Sequence, residues 1–234
     1  MLKRLFDISF SLVIIISLSP VILVALLAVW AEDKRSPFYF ASRVGKNNID
    51  FKMIKIRSMR VGADKTGVNS TSSDDARITR AGRIIRKYKI DEISQFFNVL
   101  IGNMSVVGPR PNTRNLGVDL YSPREMDLLK VKPGITDLAS IVFADEGDIL
   151  LGSKDPDKYY NLTIRPWKSE LSLFCIKRSN FFLDLKICYL TALSIVSREV
   201  ALRHLNNVLT TYNCDENLVK VALRDRPIED YVYD

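Results

Sequence analysis

The chain has 234 residues, enough for one or two modest domains with a real core, and carries a formal net charge of +7 with a pI of about 9.3. That excess of cations calls for an anionic partner: nucleic acid, a phospholipid surface or a phosphorylated substrate. Three widely spaced cysteines (Cys175, Cys188, Cys214) make neither a disulfide framework nor a zinc-ligand pattern, and one histidine, His204, leaves nucleophile and general-base work to carboxylates.

From Ile8 to Ala31 the chain reads ISFSLVIIISLSPVILVALLAVWA, 24 residues without a charge. As a straight helix this run extends roughly 36 Å, enough to cross a bilayer. It is too long for the core of a signal peptide. Ser19-Pro20 falls near its centre. Pro20 cannot donate to the carbonyl of Ile16, so the residues predict a kink, with the Ser19 hydroxyl available to a freed backbone group. Lys3 and Arg4 precede the run, and Lys34 and Arg35 follow it. A single span would put one basic pair on the outer face, against the positive-inside bias. A helix–break–helix that dips in and returns keeps both pairs on one side. The pattern alone allows either.

Residues 36–60 predict a short hairpin with GKNN as its turn, and Lys55 and Arg57, two apart, point to one face of its second arm. Residues 61–76 are polar and rich in Gly, Ser and Asp, a loop. Next, RITRAGRIIRKYK spaces Arg77, Arg80, Arg83 and Arg86 by three, a basic stripe along a helix. In DEISQFFNVLIG, Ile93, Phe96, Phe97, Leu100 and Ile101 predict the buried face of a helix that Gly102 stops. SVVGPRPN is a tight loop holding Arg110, and SPREMDLLKVKPG predicts a helix entered at Ser122-Pro123 and ended at Pro133-Gly134. Residues 179–205 form a long helical stretch, apolar on one side, suited to the core or to a membrane interface. The three expected parts are a membrane anchor (1–35), a catalytic domain (36–205) and a C-terminal tail (206–234).

The adjacent carboxylates Asp91 and Glu92 have two readings. Asp91 can cap a helix, with Glu92 favoured in the first turn by the dipole. Neighbours on a helix also point about 100° apart, which suits one carboxylate to a hard cation and the other to a substrate. The basic stripe would hold an anion and keep both ionised. Arg110 adds a fork suited to phosphate oxygens. Mg²⁺ takes one or two carboxylates plus substrate phosphates, so the set has the makings of a phosphoryl-transfer site.

The stretch ITRAGRIIRKYKIDEISQFFNVLIGNMSVVGPRP (78–111) resembles the signature of the bacterial sugar transferase family, the polyprenyl-phosphate phosphoglycosyl transferases. The likeness extends to KRLFD and the SP pair near the N-terminus, to FKMIKIRSM, to VKPGIT and to FFLDLKICYLT, most of residues 1–195 in the family's order. Length and the single hydrophobic segment resemble the small monotopic branch. The resemblance implies an α+β fold: a re-entrant helix–break–helix at Ser19-Pro20, then a mainly helical cytoplasmic domain with a small β-hairpin. It implies a location at the bacterial inner membrane, facing the cytoplasm. It implies transfer of a sugar-1-phosphate, from a UDP-sugar expected to be N-acetylated, to polyprenyl (undecaprenyl) phosphate with release of UMP, a first step in glycan assembly.

By the same resemblance Asp91 matches the nucleophile of a covalent phosphosugar intermediate and Glu92 the Mg²⁺ ligand. Lys55, Arg86 and Arg110 match basic positions around the phosphates, Asp184 an acidic position in the later helix, and Lys3 and Arg4 an anchor at headgroup level. Implied partners are the UDP-sugar, polyprenyl phosphate and inner-membrane lipids, with no nucleic acid; a homodimer is left open. The chain departs from the family where IDEISQ replaces LDELPQ, and again in GITDLASIVFADEGDIL (134–150). There Asp145, Glu146 and Asp148 either contact sugar hydroxyls or lie in a solvated loop. The rival from another class is a membrane-tethered scaffold that binds acidic lipid or phosphate without chemistry.

Overall fold

The computed structural model describes residues 1–66, 70–115, 117–231 and 233; part of the expected 61–76 loop, residues 67–69, lies outside them. The chain opens with α1 (Leu2–Asp33), one uninterrupted helix with Pro20 inside it. The carbonyl of Ile16, which Pro20 cannot serve, accepts the Ser19 hydroxyl at 2.8 Å. That replacement bond lets the helix pass through the proline. The expected interruption is therefore absent from the helical run itself.

The hairpin follows as predicted: β1 (Phe38–Val44) pairs antiparallel with β2 (Asp50–Ile56), with Phe38 opposite Ile56 and Val44 opposite Asp50. Asn47 and Asn48 close the turn at φ of 59° and 62°, a region their short polar side chains tolerate. The expected arginine stripe is shorter than its spacing suggests. Only Arg80, Arg83 and Arg86 lie on α2 (Arg80–Lys87), because Thr79 caps it by accepting from the Gly82 N–H; Arg77 stays outside on Asp75. The expected helix over DEISQFFNVLIG divides at Ser94 into α3 (Ile90–Ile93) and α4 (Gln95–Ile101), and Gly102 stops it at φ 102° as anticipated.

The buried face of α4 differs from the periodic reading. Gln95, Asn98 and Val99 are buried, whereas Phe97 and Ile101 are exposed, Ile101 at 67%. The reason is Asn98. Its amide accepts from Ile54 N–H and donates to the Lys52 carbonyl, both at 2.8 Å, while the Ser94 hydroxyl donates to the Ile54 carbonyl. Two side chains thus serve the backbone groups of β2 that β1 leaves unpaired.

Beyond α4, β3 (Ser105–Val107) pairs in parallel with β4 (Gly134–Thr136), and the expected helix over 122–133 is a short 3-10 turn at Glu125–Lys130. Then come α5 (Leu138–Val142), α6 (Glu146–Ile149) and α7 (Pro156–Tyr159), a π-helical turn (Tyr160–Ile164), and α8 (Arg165–Lys177). The expected long helix breaks at Ser197 into α9 (Phe181–Val196) and α10 (Arg198–Thr211), and α11 (Glu216–Leu223) follows. The expected tail belongs to the core: Leu205, Leu209, Leu218, Val221 and Ile228 pack in one cluster with Leu171 and Ile187. The 205/206 boundary falls inside α10.

Both ends of α1 are fastened to this same body. At its start Lys3 pairs with Asp184 of α9 at 2.5 Å, and Arg4 donates to the carbonyls of Val99 and Leu100 at the end of α4. Asp7, buried, accepts from the Ser105 hydroxyl and the Val106 N–H. At its end Asp33 receives both arms of Arg57 at 2.7 Å, and Glu32 accepts from the N–H of Arg80. Ile22, Ala25 and Val29 bury a stripe against Ile56 and Ile85, while Val13, Ile16, Val24 and Leu27 face outward. Phe182 and Val196 of α9 are exposed as well, at 80% and 85%.

Candidate active site

The acidic pair sits at a corner. α2 ends at Tyr88, and Lys89 adopts a left-handed backbone (φ 52°) that reverses the chain into α3. Such a conformation is uncommon for a lysine and clusters at functional sites. The position of α2 depends on Gly82: a Cβ there would lie 1.9 Å from the Ser58 carbonyl oxygen. The loop carrying Arg110 is held equally closely, since a Cβ on Gly134 would lie 2.1 Å from the Gly108 nitrogen.

Four of the predicted residues converge. Asp91 is buried, with Lys55 Nζ of β2 at 3.7 Å from Oδ2. Glu92 receives the guanidinium of Arg110 on both oxygens, one bond being 3.2 Å. Burial pushes the Asp91 carboxyl above its ordinary value, and the Glu92 charge adds to this, while Lys55, Arg86 and Arg110 pull the other way. For Glu92 burial is outweighed: Arg110 and Lys55 hold its carboxyl down to about 2. Burial lowers the Lys55 ammonium, opposed by Asp91, and Glu92 raises Arg110 further. Neighbouring carboxylates therefore have different characters: Glu92 is a fixed anion, Asp91 a buried, destabilised one.

Arg86 acts on Asp91 through its field, from the last turn of α2. The structure places Asp184 elsewhere, on Lys3 at the start of α1, because α9 packs against the first turns of that helix through Phe6 and Phe181. Arg4 is occupied with the carbonyls that end α4, a cap rather than a free cation. Arg57, expected to share a face with Lys55, is taken by Asp33.

Other charged groups reach the site, Lys89 and Lys168 without a sequence signal and Glu146 from the segment read either as a sugar contact or as a solvated loop. Lys89 feels Glu92, Arg110 and Asp91, and burial lowers its ammonium. Glu146 is not part of a free loop: it pairs with Lys168 at 2.6 Å, and its field reaches Arg110 and Glu92. Its neighbour Asp145 instead ties α10 and the end of α11 together through Arg198 and Arg224. Only Asp148 is exposed as a solvated-loop residue would be.

Among the described residues no three His, Cys, Asp or Glu side chains gather as a metal cage. Two adjacent carboxylates inside a basic surround match what Mg²⁺ accepts when substrate phosphates complete its shell. A carboxylate has lone pairs beyond those used by one guanidinium, so the residues fit a cation that arrives with its phosphate ligand.

Comparison with known proteins bears on the same residues. The family model described as "Bacterial sugar transferase" matches residues 1–198. A UDP-N-acetylgalactosamine-undecaprenyl-phosphate N-acetylgalactosaminephosphotransferase of Aeromonas hydrophila is 36% identical over 178 residues, 74% of this chain and 42% of its own length. A UDP-glucose:undecaprenyl-phosphate glucose-1-phosphate transferase of Klebsiella pneumoniae is 38% identical over 192 residues, 81% of this chain and 39% of its own. The chain thus spans about two fifths of these two relatives. An exopolysaccharide production protein of Rhizobium leguminosarum bv. phaseoli is similar in extent as well, 33% identical over 84% of this chain and 96% of its own length. With its acidic pair, its Arg110 loop and most of its length inside the match, the chain belongs to the bacterial sugar transferase family.

Proposed function

We propose that this chain is a phosphoglycosyl transferase that moves a sugar-1-phosphate from a UDP-sugar to undecaprenyl phosphate and releases UMP. The observation that carries the reading is the contrast at α3: a buried Asp91 against Lys55, beside a Glu92 pinned by Arg110. Names of the relatives supply the substrate classes, including N-acetylated and plain hexoses.

In the first step an Asp91 carboxylate oxygen attacks the phosphorus that bears the sugar. A phosphorus–oxygen bond forms, the bond to UMP breaks, and UMP leaves with the electron pair. In the second step an oxygen of undecaprenyl phosphate attacks the same phosphorus, the bond to Asp91 breaks, and the carboxylate is restored. A covalent intermediate of this kind splits one hard displacement into two. Burial favours the attack, because a carboxylate stripped of water is a better nucleophile than a solvated one. Lys55 and Arg86 supply positive charge that keeps Asp91 ionised. Arg110, paired with Glu92 through two of its N–H groups, keeps others to offer the diphosphate oxygens. Glu92 would hold Mg²⁺, which when bound neutralises the developing charge on the departing phosphate.

The membrane location follows the same reading. Because both ends of α1 are fastened to one body, a simple crossing that separates them is disfavoured. A bend at Pro20 with the outward apolar face in lipid, both ends cytoplasmic, accounts for that attachment and for exposed Phe182 and Val196. The test is UMP release by nanodisc-held protein given undecaprenyl phosphate, Mg²⁺ and UDP-sugars with glucose, N-acetylglucosamine and N-acetylgalactosamine. Lipid-dependent release from one donor, absent in Asp91→Asn, is expected. Full activity in purified Asp91→Asn would sink the nucleophile assignment.

A further inference from the structure

Glu146 and Lys168 have no part in the two steps above, yet contacts run without a gap from the Arg110 loop to them. Asn112 lies two residues beyond Arg110, and the Tyr160 hydroxyl donates to its Oδ1 at 3.5 Å. Lys168 Nζ stands 5.5 Å from the centre of the Tyr160 ring and 2.6 Å from Glu146 Oε2. Tyr160 begins the π-helical turn, a local widening found often at functional sites. The polar segment before α2 leans on the same wall: Ser73 N–H donates to the Gly147 carbonyl, and Ser70 N–H to Asp157 Oδ1.

The charge at this end of the site differs from the charge around Asp91. Lys168 is nearly covered, at 12% exposure, whereas the Glu146 side chain keeps 32%, and Oε1 has no partner among the described residues. The two charges cancel, so the pair has no surplus to hold another phosphate. An accessible carboxylate beside an ammonium instead suits a neutral group that both donates and accepts hydrogen bonds. Adjacent hydroxyls do so, two O–H groups meeting one carboxylate.

We infer that Glu146, held in place by Lys168 over Tyr160, reads a vicinal diol of the UDP-sugar donor, on either the sugar or the ribose. The inference rests on the donor reading above and assigns a role to the segment that departs from the family's pattern.

The experiment uses the full chain in nanodiscs with the donor that supports UMP release. Glu146→Gln preserves size and removes the charged acceptor. It is expected to raise KM for the donor by about tenfold, the effect of a hydrogen bond to a charged group, with a smaller fall in kcat. Competitive inhibition by UDP separates the sources: an unchanged inhibition constant assigns the diol to the sugar, and a parallel rise assigns it to the ribose. KM and inhibition constant both within twofold of wild type overturn the inference, as does a loss of kcat at unchanged KM. Should Glu146→Gln fail to fold, Glu146→Asp, which withdraws the carboxylate by one methylene, carries the same readouts. Wild type silent with every donor would bring down the transferase reading and this inference with it, whereas an active wild type with an indifferent Glu146→Gln removes this inference alone.

Discussion

Asp91 and Glu92 are sequence neighbours whose surroundings push their carboxyls in opposite directions, and each direction has a measurable consequence. Burial raises Asp91, so the acid limb of the kcat/KM profile should lie above the ordinary aspartate value. Lys55 pulls that value down, so Lys55→Met should move the limb to higher pH as well as slow the reaction; an unmoved limb would disconnect Lys55 from Asp91. Glu92 is the opposite case. Its folded value near 2 lies below the ordinary 4.5, so its contribution to stability is complete above pH 4.5 and is lost as the pH falls through about 2. Glu92→Gln should therefore cost about 3 kcal/mol near neutrality by stranding Arg110. The gap from wild type in thermal unfolding should narrow below pH 4.5. Asp91, Glu92, Lys55 and Arg110 were legible because a motif names them. Glu146 was named only as a sugar contact or part of a solvated loop, and Lys168 and Tyr160 carried no signal, because nothing local ties α6, α8 and the π turn to Arg110.

At the scale of elements, the site is held by close approaches that hydrophobic periodicity does not encode. Gly82 lets α2 touch the backbone of Ser58. Gly82→Ala should cost about 2 kcal/mol in unfolding, typical of overpacking, and lower turnover further by displacing Arg86; an unaffected enzyme would mean that α2 can shift freely. Asn98 stands in for a strand at the edge of β2. Asn98→Ala leaves a buried donor and a buried acceptor unpaired and should cost about 3 kcal/mol. Asn98→Asp, which keeps only an acceptor, should fall between the two in denaturation. The same residue explains why α4 turns a different face inward than its apolar spacing suggests. A polar side chain with two backbone partners outweighs Ile101, which is left outside.

At the scale of the whole molecule, α1 is long and apolar enough to cross a bilayer, yet its two ends are tied to one body by Lys3–Asp184 and Arg57–Asp33. Single cysteines at Leu2 and at Arg35, in a background with the three native cysteines replaced by serine, should react with an impermeant maleimide from the same side of sealed vesicles. Labelling from opposite sides would establish a span and refute the re-entrant reading. Sequence by itself determined the hairpin, the stop at Gly102 and the service of Ser19 to the Ile16 carbonyl, and a shared motif picked out Asp91, Glu92, Lys55 and Arg110, which converge at α3. Each of these depends on residues close in the chain or on a family pattern. Only the tertiary structure decided which face of α4 is buried, that the last thirty or so residues complete the core, that Asp184 serves Lys3, and that Glu146 joins the site. Those outcomes depend on contacts between segments far apart in sequence, where packing and electrostatic partners override local periodicity.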